Sequence, residues 1–182
     1  MTETPQDLST IRLLVVMGVA GCGKTTIGEH LAAAMAAMVA APPLNSTFLD
    51  GDAFHPQANI DKMSQGIALT DEDRWPWLET FGREIAARSG TVIGGCSSLK
   101  RAYRDHITQA AGEPVLFIYL NGTRELIAER MGKRQGHFMP TSLLDSQFAT
   151  LEVPAEDECA IDVDIDAPTD EIVRRILAKL GA

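Results

Sequence analysis

Residues 18–25 read Gly-Val-Ala-Gly-Cys-Gly-Lys-Thr, which matches the phosphate-binding pattern G-x-x-x-x-G-K-[ST] in full. An apolar run at 12–17 precedes this stretch, and an Ala-rich segment at 25–40 with helical character follows it. A strand before the loop and a helix after it are the context that distinguishes a phosphate-binding loop from a glycine-rich turn without a ligand. The sequence therefore predicts a nucleoside triphosphate site.

Each part of this loop has a chemical task. The glycines let backbone N–H groups turn inward around phosphate oxygens, and the N-terminus of the following helix adds partial positive charge. Lys24 is expected to reach the β- and γ-phosphates, and the Thr25 hydroxyl is expected to bind Mg²⁺. The predicted nucleotide-binding residues are Gly18, Val19, Ala20, Gly21, Cys22, Gly23, Lys24, Thr25 and Thr26.

Size and composition indicate one globular domain over residues 1–182, with 45% hydrophobic and 23% charged residues. The formal net charge of −9 disfavours a nucleic-acid partner, because phosphate backbones need a cationic surface. The apolar segment at 31–41 is too short to span a membrane, so no membrane association is expected. Three widely spaced cysteines, Cys22, Cys96 and Cys159, indicate reduced thiols and a cytoplasmic location.

Apolar runs with strand character alternate with helical patterns along the chain. This order predicts a three-layer α/β fold, in which helices cover both faces of a parallel sheet and ligands bind at the carboxyl ends of the strands. Two long stretches, 52–69 and 132–154, fit the alternation poorly and are expected to form lids or binding loops. The predicted strands are Arg12–Met17, Thr47–Leu49, Thr91–Gly94, Val115–Leu120 and Ala160–Ile165, and the predicted helices are Thr25–Ala40, Asp71–Ser89, Ser98–Ala111, Thr123–Lys133 and Thr169–Leu180.

Four further motifs narrow the substrate. They are L-D-G-D-x-x-H-P-x-x-N from residue 49, D-x-D-R-x-P-W-L from residue 71, C-S-x-L-K-x-x-Y-R-D from residue 96 and G-H-F from residue 136. With the phosphate-binding loop, they cover nearly the whole chain, which resembles the gluconokinase family.

The resemblance implies ATP-dependent, Mg²⁺-assisted phosphorylation of D-gluconate to 6-phospho-D-gluconate. It also implies a P-loop NTPase fold similar to shikimate kinase and the nucleoside monophosphate kinases, with a five-stranded parallel sheet and a helical lid over about residues 130–154. Dimers are common in the resembled family, so a homodimer is the oligomeric state to test.

A sugar acid needs a pocket with a cation for its carboxylate and polar groups for its hydroxyls. Arg74 is the first candidate for a bidentate carboxylate contact, with help from Lys62 or His55. Asp52, at the end of the second strand, suits a carboxylate that orients the 6-hydroxyl and accepts its proton, or one that holds Mg²⁺ through water. The alternatives are a helix N-cap for Asp52 and a surface ion pair with Asp71 or Asp73 for Arg74.

Other cations offset the acidic net charge locally. Arg130 and Arg134 lie one helical turn apart and resemble lid arginines that neutralise charge on the transferring phosphoryl group, with a solvated helical face as the alternative. Lys100 and Arg104 share a face after the third strand and are expected to contact the substrate or the product phosphate. His137, in the G-H-F motif, is assigned a binding or lid role.

Two other functions remain open. A kinase for another small anionic acceptor, such as a different aldonate or a shikimate-like acid, would use the same fold. A nucleotide-dependent binding module that signals to a partner would usually carry an Asp after the third strand, where this chain has Gly95-Cys96-Ser97.

Overall fold

The computed structural model describes residues 8–38, 46–133 and 141–181. Strands and helices alternate through these ranges, with short 3-10 turns at Leu8–Thr10 and Gly51–Phe54. The strands are β1 (Leu13–Met17), β2 (Ser46–Asp50), β3 (Thr91–Gly95), β4 (Val115–Asn121) and β5 (Ala160–Asp164). The helices are α1 (Lys24–Ala37), α2 (Gln57–Ser64), α3 (Asp71–Ala86), α4 (Arg101–Ala111), α5 (Arg124–Lys133), α6 (Thr141–Thr150) and α7 (Thr169–Leu180).

The five strands form one parallel sheet in the order β2-β3-β1-β4-β5. The central strand β1 pairs with β3 on one side, where Val16 lies opposite Gly95, and with β4 on the other, where Met17 lies opposite Tyr119. All strands therefore end at the same edge of the sheet, and the loops after β1, β2 and β3 emerge side by side there. This edge is where an open parallel sheet binds ligands.

Both faces of the sheet are covered, as the buried strands β1, β3 and β4 require. Along β1, Leu14 and Val16 belong to a core cluster with residues of α1, α5 and α7. Leu13, Val15 and Met17 belong to a second cluster with residues of α3 and α4. Because successive strand side chains point to opposite faces, one strand contributes to both cores.

The predicted α/β architecture is confirmed, and each predicted strand is found within one or two residues of its predicted bounds. Helices α2 and α6 lie in the two stretches that the sequence pattern left unassigned, and α4 begins at Arg101 rather than Ser98. The single-domain assignment and the lid over about residues 130–154 stay predictions. In the part of the chain that the structure describes, no helix is long and apolar enough to cross a membrane.

Close packing of α1 on β2 depends on the absence of a side chain at Gly28. A Cβ atom built there would lie 2.3 Å from Cε2 of Phe48, and the same ring lies 3.1 Å from a Cβ atom built at Gly95. The Phe48 ring is thus confined between a helical glycine and a strand glycine. This contact holds the outer strand β2, and the site residues that follow it, against the helix that begins in the phosphate-binding loop.

Gly28→Ala should therefore destabilise the fold, although alanine favours a helix by about 1 kcal/mol over glycine. Displacing the confined Phe48 ring is expected to cost more than this gain, for a net loss of about 1–3 kcal/mol in the free energy of unfolding. The matched control is Gly132→Ala in α5, where a Cβ atom meets nothing within 4 Å. Chemical denaturation of both variants checks this; a Gly28→Ala protein as stable as the control would contradict it.

Candidate active site

The loop between β1 and α1 has the backbone conformation that an anion site needs. Gly18, Gly21 and Gly23 have φ values of 143°, 83° and 102°, in the range that favours glycine. At the start of α1, Gly23 is the N-cap residue and no side chain caps the helix. The first N–H groups of α1 are therefore available to phosphate oxygens, in the field of the helix N-terminus.

Lys24 and the two threonines lie where the sequence predicts them. Lys24 Nζ donates hydrogen bonds of 3.2 Å to the carbonyl oxygens of both Gly18 and Val19, so the ammonium group bends back over the first residues of the loop. Thr25 and Thr26 are exposed in the first turn of α1. The Cys22 side chain is buried, and burial raises the pKa of its thiol, which leaves the backbone N–H of this residue as its contribution to the site.

Neighbouring elements hold the loop from outside. Gly18 N donates a 3.2 Å hydrogen bond to the carbonyl oxygen of Ser97, in the segment after β3. A Cβ atom at Gly21 would lie 2.5 Å from Cγ of Met131, which shows how tightly α5 packs on the loop. Ala20 N donates a 2.6 Å hydrogen bond to Oε1 of Gln147, on α6. Three separate segments thus fix the loop conformation.

Asp52 lies beyond the end of β2 with 80% of its side chain exposed. The carboxylate of Asp50, not Asp52, caps the 3-10 turn by accepting a 3.0 Å hydrogen bond from Asp52 N. Burial raises the pKa of Cys96 to about 11, and the charges of Asp52 and Lys24 act on this thiol with opposite signs. A Cβ atom built at Gly51, which precedes Asp52, would lie 3.4 Å from Cβ of Cys96, and Cys96 N donates a 3.1 Å hydrogen bond to the Val16 carbonyl oxygen of β1. Asp52 therefore follows a residue packed beside the end of β1, where the phosphate-binding loop begins.

His55 is fixed by aromatic and polar contacts. Its ring stacks on Trp77 with centroids 3.9 Å apart, and its Nδ1 lies 3.3 Å from Nδ2 of Asn59. Trp77 Nε1 donates a 2.7 Å hydrogen bond to the Gly51 carbonyl oxygen. Burial lowers the pKa of His55 and the charge of Arg74 lowers it further, whereas Asp52, 3.9 Å away, raises it. His55 is thus held as a neutral ring beside Asp52.

The first turn of α3 gathers the predicted substrate-binding cations. Lys100 Nζ donates hydrogen bonds of 3.0 and 2.8 Å to the Asp71 carboxylate, and the Tyr103 hydroxyl donates one of 2.5 Å to it. Arg74 Nη1 lies 3.7 Å from the same carboxylate and donates a 2.6 Å hydrogen bond to the Leu69 carbonyl oxygen. The hydrogen bond from Lys100, then that from Tyr103, lowers the pKa of Asp71.

Asp73 pairs with Lys62 as Asp71 pairs with Lys100. Lys62 Nζ donates hydrogen bonds of 2.6 and 2.8 Å to the two oxygens of the Asp73 carboxylate. This ion pair lowers the pKa of Asp73, which also closes a capping box with Thr70 at the start of α3. The ion-pair alternative considered for Arg74 therefore exists in the structure. It is compatible with ligand binding, because Arg74, Lys62 and Lys100 keep 29%, 41% and 31% of their side chains exposed.

Arg104 differs from the other predicted substrate contacts, because only 2% of its side chain is exposed. Nε and Nη2 donate hydrogen bonds of 2.6 and 2.8 Å to the Glu158 carboxylate. Nη1 donates to the carbonyl oxygens of Ser98 and Glu152, at 3.0 Å each. Every nitrogen of the guanidinium group is engaged within the protein, so the structure does not place Arg104 as a ligand for substrate or product phosphate.

The predicted lid arginines are only partly described. Arg130 Nη2 donates a 2.5 Å hydrogen bond to the Ile165 carbonyl oxygen, in the loop between β5 and α7, and its charge acts on the Cys22 thiol of the phosphate-binding loop. Its neighbour Met131 packs on Gly21, so this end of α5 lies between the segment that follows β5 and the phosphate-binding loop. Arg134 and His137 lie outside the described residues.

Asp71, Tyr103 and Gln147 belong to the site without having been predicted as site residues. Asp71 and Tyr103 stand inside the quoted motifs, and their motif positions are the signal that could have identified them. For Gln147 the contact with Ala20 joins residues 127 positions apart, a distance in sequence that no local pattern encodes.

A groove of about 670 Å³ lies elsewhere, at the start of β4 and beside α4. Its charged lining includes Arg101, Asp105, Glu113 and Asp157, and Arg101 is paired with Asp157 at 2.8 Å. Acidic groups outnumber free cations there, and the groove lies away from the carboxyl ends of the strands. The cleft beside the phosphate-binding loop is therefore a more favourable site for an anionic substrate than this groove.

Comparison with known proteins agrees with this geometry. Residues 13–154 match a family model described as an AAA domain. A gluconokinase of Gluconobacter oxydans (strain 621H) is 42% identical over 184 residues, which cover 99% of this chain and 97% of that protein. The thermosensitive gluconokinase of Escherichia coli (strain K12) is 45% identical over 172 residues, or 90% of this chain and 87% of that protein.

A solved structure of a gluconokinase from Sinorhizobium meliloti 1021 is similar in fold as well as in sequence. It has a TM-score of 0.81 and 46% identity, and the match covers 93% of this chain and 91% of that chain.

The buried, neutral His55 predicts a pH dependence of stability. The pKa of His55 is lower in the folded protein than in the unfolded chain. As the pH falls below about 6.5, the unfolded chain therefore takes up a proton before the folded protein does, and the free energy of unfolding decreases. His55→Phe keeps a ring on Trp77 but cannot titrate. Between about pH 7.5 and pH 5.5, wild type should lose more stability than this variant, by up to about 1.4 kcal/mol, the limit set by a pKa of about 6.5 in the unfolded chain. Equal losses of stability for wild type and His55→Phe, measured by urea denaturation at the two pH values, would contradict this prediction.

Proposed function

The chain belongs to the gluconokinase family, and from this membership and the site geometry we propose that it transfers the γ-phosphoryl group of ATP to the 6-hydroxyl of D-gluconate. The observation that carries the proposal is the position of an exposed carboxylate and three cations beside a complete phosphate-binding loop. Gly51, which precedes Asp52, packs on Cys96 beside the end of β1. Lys100 follows the segment that contacts Gly18 through Ser97, and its partner Asp71 also lies 3.7 Å from Arg74.

Nucleotide binding rests on the loop and on the start of α1. The backbone N–H groups of residues 21–26 converge on the phosphates, and Lys24 exchanges its contacts with Gly18 and Val19 for phosphate oxygens. Because the protein has little covalent chemistry to perform, the rate comes from positioning and from neutralising charge on the moving phosphoryl group.

The donor set fits Mg²⁺. Within the described ranges, no cluster of three or more His, Cys, Asp or Glu side chains is placed to hold a metal. Mg²⁺ usually binds to one or two protein oxygens together with substrate phosphates and water, rather than in an all-protein cage. Thr25 would supply a hydroxyl and Asp52 would supply a carboxylate, directly or through water. When bound, Mg²⁺ neutralises negative charge on the β- and γ-phosphates.

Gluconate recognition is assigned to the first turn of α3 and its neighbours. Arg74 and Lys100 bind the carboxylate, and Lys62 and His55 contact the hydroxyl groups. Asp71 and Asp73 hold these cations in place and separate their positive charges, so the pocket is organised before the ligand arrives. Asp52 orients the 6-hydroxyl towards the phosphate-binding loop and accepts its proton as the new bond forms.

Arg130 and Arg134 are proposed to neutralise the phosphoryl group, within a lid over about residues 130–154 that also carries His137. Arg104 is given a different role from the one its sequence position suggested: it ties the segment after β3 to residues 152–158 and so supports Lys100. The homodimer and the cytoplasmic location remain predictions.

A coupled ADP-release assay with Mg·ATP tests the function. D-gluconate should give strong turnover, whereas other aldonates, shikimate and nucleoside monophosphates should give little. Selective turnover of another acid would keep the nucleotide site but require a different pocket. ATP binding without turnover of any of these acceptors would contradict the kinase assignment for small acids.

Lys24→Ala should lower kcat by about 100-fold or more, because it removes the charge that reaches the transferring phosphate. The fold should persist, since Lys24 contacts only loop carbonyls. The control is Lys179→Ala, an exposed lysine on α7. Steady-state kinetics beside thermal unfolding curves check this prediction; a Lys24→Ala enzyme above about one hundredth of wild-type activity would exclude the loop assignment.

Arg74→Ala should raise KM for gluconate by about tenfold or more while changing KM for ATP little, because a hydrogen bond to a charged group contributes about 1.5–3 kcal/mol. Arg83→Ala, on the same helix and 70% exposed in a pair with Glu79, is the matched control. Equal effects of Arg74→Ala on both substrates would remove Arg74 from the sugar pocket.

A further inference from the structure

We propose that Gln147 is a catalytic residue, which binds the phosphate-binding loop through its amide oxygen and donates a hydrogen bond from its amide nitrogen to the γ-phosphoryl group. The inference rests on the proposed kinase function and adds to it a residue from α6, outside the loop, the α3 pocket and the lid arginines.

The orientation of the amide follows from its partner. Ala20 N can only donate, and it lies 2.6 Å from Oε1 of the half-buried Gln147. The NH₂ branch must therefore point away from Ala20. Within residues 8–38, 46–133 and 141–181, Nε2 of Gln147 has no hydrogen-bond partner. A fixed amide whose donor is unpaired within these ranges thus stands against the loop.

The position of Ala20 identifies which phosphate this donor meets. In a loop of this kind the later residues and the helix N-terminus surround the α- and β-phosphates, and the lysine reaches the β- and γ-phosphates. Lys24 Nζ is bonded to the carbonyl oxygens of Gly18 and Val19. Residues 18–20 therefore lie at the γ end of the nucleotide, and Gln147 lies beside them.

Helix α6, which carries Gln147 within the proposed lid, is anchored to the core and to the acceptor side of the cleft. Leu144 of α6 is buried, with 1% exposure, in the core cluster that also contains the loop residues Val19 and Cys22. Glu152 N donates a 2.8 Å hydrogen bond to the Leu99 carbonyl oxygen, next to Lys100. A side chain held in this way donates with little loss of entropy or reorganisation.

The chemical task is to stabilise charge during transfer. The bond between the γ-phosphorus and the β–γ bridging oxygen breaks as the gluconate 6-hydroxyl oxygen bonds to phosphorus, and the hydroxyl proton passes to Asp52. Negative charge spreads over the equatorial phosphoryl oxygens. Gln147 takes no proton and supplies one neutral N–H donor to those oxygens.

Gln147→Glu separates this role from a structural one, because glutamate keeps the oxygen that accepts from Ala20 but replaces the donor with negative charge. We expect kcat to fall about 100-fold. We also expect the Kd of the non-hydrolysable analogue AMPPNP to rise at least about tenfold while the Kd of ADP changes less than about twofold. Gln109→Glu, on the exposed face of α4, is the control.

A glutamine that only holds Ala20 predicts a different pattern: Gln147→Glu and Gln147→Ala change the Kd values of AMPPNP and ADP by similar factors. Kd values measured by calorimetry without gluconate decide between the catalytic and the structural role of Gln147. Because these values do not depend on which acid the enzyme phosphorylates, a failure of the gluconate assignment can be distinguished from a failure of the Gln147 proposal. If Gln147→Glu is too unstable to measure, the ratio of AMPPNP to ADP affinity in Gln147→Ala serves instead. An unchanged ratio overturns the proposal.

Discussion

The backbone of residues 18–25 must turn its N–H groups inward, and the rest of the site is arranged around this constraint. Three glycines with positive φ make the turn possible, but they do not by themselves make it stable, because glycine loses the most conformational entropy on ordering. Contacts from outside supply the order: Met131 of α5 fills the space beside Gly21, Ser97 accepts from Gly18 and Gln147 accepts from Ala20. The conformation of the phosphate site therefore depends on contacts from three segments that are distant from it in sequence.

Local charge explains how an acidic protein binds two anionic substrates. The chain has a net charge of −9, yet Lys62, Arg74 and Lys100 gather at the first turn of α3. Asp71 and Asp73 make this possible, since unscreened cations so close together would repel one another. The acidic residues favour the N-terminus of α3, whose partial charge is positive. One helix start thus holds both the acids and the cations that they position.

Local patterns were sufficient to predict the strands and the phosphate-binding loop, whereas the expected cation pocket came from the motifs that carry the family resemblance. Strands β1, β3 and β4 are buried on both faces and the loop has fixed spacing, so both can be recognised from neighbouring residues. Helix α2 was not predicted because its residues are almost all polar or exposed; only Asn59 is buried. Arg104 was misassigned because its partner, Glu158, is 54 residues away, and a buried ion pair of this kind depends on how the chain folds back.

The proposed enzyme brings gluconate and the γ-phosphate of ATP together between the first turn of α3 and residues 18–25. A crystal structure with D-gluconate and AMPPNP tests this arrangement most directly. The gluconate carboxylate should lie within hydrogen-bond distance of Arg74 or Lys100, with the 6-hydroxyl directed towards Asp52 and the γ-phosphate. Gluconate bound in the groove beside α4, or in the cleft with its carboxylate away from both cations, would contradict this arrangement.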